Sequence, residues 1–182
     1  MILSYSEINQ DLIHRTELCL DFARSIRNYS SEKLNHRPGD TSWSALECIE
    51  HLNRYSEFYL PVFMKELSLP SKVSKNQFSP GWLGEKFADS VKPLSEGASK
   101  MPTFKSKNPI HEELDPTVID EFTTDLNAFL NTIKKGFSGV NLDKKVSTTL
   151  PVIKLKLGDA LRVYAFHNHR HIEQAKKAIE SY

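Results

Sequence analysis

The sequence predicts an all-α protein, a four-helix bundle with a long crossover between its second and third helices. Three observations carry this expectation. Four segments repeat apolar residues at three- and four-residue spacing, a proline-rich stretch interrupts them, and one short run alternates apolar residues with lysine.

The first helix is marked by Tyr5, Ile8, Leu12, Cys19, Phe22, Ile26 and Tyr29, broken by one polar gap near Arg15. The second follows "RPGDTSWSALE", where Pro38 and Gly39 break the chain and a Thr/Ser cluster supplies N-caps. It runs from about Ser44 into the sixties, with Pro61 as a kink or stop. Leu69 to Asp115 is the crossover. It holds five of the nine prolines (Pro70, Pro80, Pro93, Pro102, Pro109) yet also Trp82, Phe87 and Phe104. Within it "GWLGEKFADSV" reads as a short helix packed on the bundle. A connection of this length is either functional or a plain link.

The third helix opens with Asp115 as cap and Pro116 at its first position. Its stripe is Val118, Phe122, Leu126, Phe129, Ile133 and Phe137, and Gly136 and Gly139 close it. "VIKLKL" then reads as extended chain. The fourth helix starts near Gly158–Asp159 and runs almost to Tyr182. Residues 1–182 are expected to form one domain, with 69–115 as a partly structured crossover.

Charge and composition narrow the function classes. Net charge is +1 and charged residues are 26% of the chain, so no global field points to nucleic acid or an acidic membrane surface. The lysine pairs 134–135, 144–145 and 176–177 read as solvated faces. Cys19 and Cys48 match no CxxC pattern and read as free thiols in a reducing cytoplasm. The first residues lack the apolar core of about 7–15 residues of a secretory signal, and no apolar run reaches the ~18 that span a bilayer. A soluble cytoplasmic protein acting on a small molecule is the expectation.

Three of the seven histidines fall inside "FHNHRHIEQ". On a wheel of ~100° per residue His167 and His171 share an arc with Ala160, Tyr164, Asn168, Gln174, Ala175 and Ala178. His169 falls on the opposite face with Arg162 and Glu173, towards water. Inward imidazoles need partners, and a pair at i, i+4 among small neighbours favours an ion over hydrogen-bonded core histidines. The second helix supplies a third. His51 shares its arc with Glu47, Tyr55, Phe58 and Val62, while Glu50, Asn53, Arg54 and Glu57 lie on the polar side. His14, His36 and His111 read as surface. Three inward histidines on two facing helices leave a divalent ion one open position. Zinc is the default; nickel, iron and manganese also accept imidazole.

Around this set, Glu47 is the candidate general base or second-sphere acceptor, although Ser44-x-x-Glu47 is also a capping box that needs Glu for local reasons. Gln174 is the candidate to orient a ligand or touch substrate. Tyr55 and Tyr164 either donate to an anion or pack the core, and Cys48 as a fourth ligand would close the site. A di-iron carboxylate bundle needs Glu-x-x-His on two helices, a pattern the inward sets lack. A metal that only staples the bundle, a non-catalytic ligand-binding bundle, and an interaction module with pH-sensitive histidines stay open as alternatives.

"Trp43-Ser44-x-x-Glu47-x-x-x-His51-Leu52" followed by "His167-x-x-x-His171-x-x-Gln174" resembles the signature of the DinB/YfiT-like superfamily. "Leu34-Asn35-His36-Arg37-Pro38" resembles that family's approach to its second helix. The resemblance runs from end to end of the bundle, with its motifs on the second and fourth helices. It implies a four-helix bundle with a long crossover and a divalent metal held by His51, His167 and His171. It further implies metal-dependent hydrolysis, or transfer or isomerisation with a low-molecular-weight thiol such as bacillithiol, mycothiol or glutathione, and a homodimer. The family name refers to DNA damage, yet nothing in the sequence reads as a DNA-binding surface.

Overall fold

The computed structural model describes residues 2–69, 75–97 and 103–182. Among them are six α-helices: α1 (Tyr5–Ile26), α2 (Ser31–Asn35), α3 (Ala45–Ser68), α4 (Trp82–Val91), α5 (Val118–Ile133) and α6 (Leu157–Glu180). Four strands form two small antiparallel ribbons. β1 (Leu3–Ser4) pairs with β2 (Gln77–Phe78), Leu3 opposite Phe78, and β3 (Lys145–Ser147) pairs with β4 (Lys154–Lys156), Val146 opposite Leu155.

The bundle is built from α1, α3, α5 and α6. α1 and α3 each pack against both α5 and α6, so α1 and α3 lie diagonally although they are successive long helices in the chain. That arrangement makes α3 and α6 neighbours, which brings the histidine-bearing helices face to face. The core they share with α5 includes Phe63, Phe129 and Tyr164, whose ring centroids lie 5.1–5.9 Å apart in tilted and edge-on pairs. No helix among the described residues is long and apolar enough to cross a membrane.

Several local expectations shift. α1 ends at Ile26 and leaves Tyr29 exposed, and α2 is an additional turn capped by Ser30. α3 continues through Pro61 to Ser68. α5 begins at Val118 with Thr117 as its cap residue, not at Asp115. The Asp115 carboxylate instead accepts the Thr117 N–H at 2.8 Å, a local turn that delays the helix by two residues. Asn53, on the polar side of α3, is buried because its amide donates to the Val118 carbonyl at 3.0 Å.

The connection from α3 to α5 does more than link them. The "GWLGEKFADSV" helix forms as α4 and packs along α6. Gly84 allows the close approach, since a Cβ there would lie 2.1 Å from Asp159. Asp159 accepts the Gly81 N–H at 2.9 Å, and Arg162 pairs with Glu85 at 3.0 Å. Arg162 and His169, which the wheel points to water, are therefore covered. Arg162 is buried under α4, and His169 is half-buried between Arg15 of α1 (2.8 Å) and Glu173 (3.8 Å). Pro70 and Pro102 lie outside the described residues.

Candidate metal centre

His51 lies in the second turn of α3, and His167 and His171 occupy successive turns of α6. The packing of α3 on α6 brings them together as the periodicity predicts. One ligand nitrogen from each of the three lies within 4.8 Å of the others, and ring centroids are 4.6–5.0 Å apart. His51 Nε2 and His167 Nε2 are 3.2 Å apart. Ligand nitrogens on a tetrahedral zinc with ~2.0–2.1 Å bonds are separated by roughly 3.3 Å.

Outer partners orient two of the rings. His51 Nδ1 is 2.6 Å from the Lys107 carbonyl, which can only accept, so the proton is on Nδ1 and the lone pair on Nε2. His171 Nδ1 faces Gln174 Oε1 at 3.0 Å, with the same result. The lone pairs of His51 and His171 therefore face the cluster. A proton on His167 Nε2 links it to one of them; a cation serves all three. Burial holds the set neutral. It pushes His51 down to about 4 against the pull of the Lys107 carbonyl, and it holds His167 and His171 well below the ordinary imidazole range. Neutral imidazole is the form a metal requires.

The chemistry of this donor set fits a divalent cation with an open position. Trp43 closes one side, its ring 4.7 Å from His51 and stacked at 5.5 Å on His171. Tyr55 packs edge-on against His51 and His167 at 5.0 and 4.8 Å. The three histidines, Trp43 and Tyr55 line a cavity of about 580 Å³, lined also by Phe87 and Phe104 between α3 and α5 and by the β3–β4 hairpin.

The structure places the remaining candidates apart from one another. Gln174 lines the cavity and holds His171. Glu47 does not line it. Its buried carboxylate accepts from Ser44 N (2.7 Å), from both Nε and Nη2 of Arg37 (3.0 and 2.7 Å) and from His111 N (2.5 Å). The capping reading accounts for the Ser44 bond, and Arg37 and His111 take up the rest of the carboxylate. Cys48 is buried outside the cluster, its thiol pushed well up by burial, and Tyr164 is bonded to Ser56 at 2.8 Å. His14 and His111 are exposed, and His36 rests on Tyr182.

Sequence reasoning missed Lys107 and Glu173. Lys107 acts through a backbone carbonyl, which carries no residue signature. Glu173 lies on the outward arc of the wheel yet lines the cavity and accepts from Ser95, because the crossover folds over α6. Trp43 belongs to the recognisable motif, but its place against two imidazoles needs coordinates.

Comparisons with known proteins agree with this fold. The profile described as the DinB superfamily matches residues 20–175. A similar solved structure is YfiT from Bacillus subtilis, described as a probable metal-dependent hydrolase with an unusual four-helix bundle topology. It is 11% identical, with a TM-score of 0.61 over 97% of this chain and 87% of that one, a likeness of fold. No curated protein matches significantly. With the matched profile spanning most of its length, the chain belongs to the DinB superfamily.

Proposed function

We propose that the protein is a metal-dependent enzyme, a hydrolase or a low-molecular-weight-thiol S-transferase, with one divalent cation on His51, His167 and His171. One observation carries the reading. Three imidazoles, two with their Nδ1 protons anchored elsewhere, converge at a cavity large enough for a small-molecule substrate. Zinc or nickel suits the donor set, and iron or manganese is compatible with it. The description of the YfiT neighbour supports the hydrolytic half, and the motif resemblance supports the bacillithiol-like cosubstrate.

Three neutral ligands leave the charge of a bound cation uncompensated, which favours an anionic group and acidifies a water or thiol that reaches it. The protein's own groups prepare that position. The Lys107 carbonyl and Gln174 fix ring orientation, and Trp43 shields the His51 and His171 faces from water. Glu47 holds the His111 backbone and, through the segment leading back to Lys107, supports the His51 anchor.

Elemental analysis of the purified protein tests the reading. One equivalent of divalent metal per chain is expected, lost in His167→Ala with the helical circular dichroism retained. Unchanged stoichiometry in that variant refutes the ligand set. If chelation lowers the melting temperature while metal-loaded protein turns over no ester and no thiol–electrophile pair, the bundle is metal-stapled and non-catalytic.

A further inference from the structure

The cavity is uneven along its length. On α6 its wall runs from Val163 to Ala178, roughly 22 Å at 1.5 Å per residue, with His167 and His171 between the ends. At the Lys177 end the neighbouring wall residues Pro38 and Thr41 are exposed, so this end is open to solvent. At the other end Tyr59, Thr148, Leu155 and Tyr164 are buried and Thr149, Leu150 and Val163 half-buried, so the cavity is more enclosed beyond the histidines.

The enclosed end contains hydroxyls; three are engaged, while the Thr149 hydroxyl, which also lines it, has no partner among the described residues. Thr148 Oγ1 donates within the hairpin loop to the carbonyls of Leu150 (3.3 Å) and Ile153 (3.1 Å) and accepts the Leu150 N–H at 3.2 Å. The Tyr164 hydroxyl is paired with Ser56 at 2.8 Å, and the Tyr59 hydroxyl accepts from Thr149 N at 3.4 Å. The rest of this wall is largely carbon: the rings of Tyr59 and Tyr164, the Leu155 side chain and, one turn before His167, the half-buried Val163. A polar ligand group placed there would lose water and find few partners, the Tyr59 proton and the Thr149 hydroxyl.

We propose that this chamber binds an apolar group of the substrate, an alkyl or aryl arm, so that the protein acts on an amphiphilic small molecule whose reacting group stops at the histidines. The inference rests on reading the three histidines as the reacting end. The open, polar end receives the second reactant, and the enclosed end selects the first by its carbon content.

Titration calorimetry with straight-chain carboxylates from acetate to octanoate tests this on the full-length protein, with its metal and after chelation. The dissociation constant should fall about fourfold per methylene until the chamber is full. Val163→Phe should stop the gain at a shorter chain with metal content unchanged, and Leu150→Trp does the same from the hairpin should Val163→Phe fail to fold. A flat series in the metal-loaded protein, absence of binding, or a gradient untouched by both variants overturns the chamber and leaves the metal reading standing. A gradient in protein that binds no metal supports the chamber and removes the metal reading instead.

Discussion

The chain uses the same capping box twice, with nearly identical local geometry and different consequences. At α1, Ser4 Oγ accepts the Glu7 N–H at 3.1 Å and Glu7 accepts the Ser4 N–H at 2.7 Å. At α3 the corresponding distances, Ser44 to Glu47, are 3.2 and 2.7 Å. The first box lies at the surface and serves only its own helix. The second is buried, and its glutamate also binds Arg37 and the His111 backbone, tying the loop before α3 and the crossover to the helix that carries His51. A motif fixes the local bonds; burial and long-range partners decide what depends on them.

Substitutions can break that contrast. The largest effect is expected from Glu47→Ala, which strands a partly buried guanidinium and two backbone donors. It should cost about 3 kcal/mol in denaturant unfolding, the low end for a broken buried pair because Arg37 is partly exposed. Metal affinity should also fall by about tenfold as the Lys107 anchor loosens. A loss no greater than that of the surface box would show that the additional partners contribute nothing.

Ser44→Ala removes only the hydroxyl half and should cost about 1–2 kcal/mol, with a smaller change in metal affinity. Ser4→Ala should cost about 0.5–1 kcal/mol and leave metal binding untouched; a metal effect from this distant cap would erase the distinction between the two sites. The smallest effect is a pH dependence at the exposed box. Bonds from the Ser4 backbone and hydroxyl hold the Glu7 carboxyl below its ordinary 4.5. An acid depressed in the folded state stabilises fully above the unfolded value and loses that contribution as pH falls through the folded one. The melting-temperature gap between wild type and Glu7→Gln should therefore close below about pH 4.5, and a constant gap would mean that charge plays no part in this cap.

The parts of the fold legible in the sequence were those governed by periodicity. Apolar stripes at 3.6-residue spacing located α1, α3, α5 and α6, and the same wheels turned His51, His167 and His171 inward. Helix ends were less legible. Asp115 and Thr117 both cap well, and the choice between them depended on which backbone N–H the Asp115 carboxylate reached. The wheel also treats any polar arc as solvent-facing. It failed for Arg162, His169 and Glu173 because α4 and the segment after it lie over that side of α6, a docking that Gly84 and Asp159 permit.

By itself the sequence determined four amphipathic helices, the identity of three convergent imidazoles and the box that starts the second helix. Each follows from spacings within one element, where backbone geometry fixes direction. Tertiary structure alone decided that the Lys107 carbonyl anchors His51, that Trp43 covers two rings, and that Glu47 is consumed by Arg37 and His111. Those contacts join residues far apart in the chain or act through the backbone. Their energies depend on burial, which no local pattern encodes.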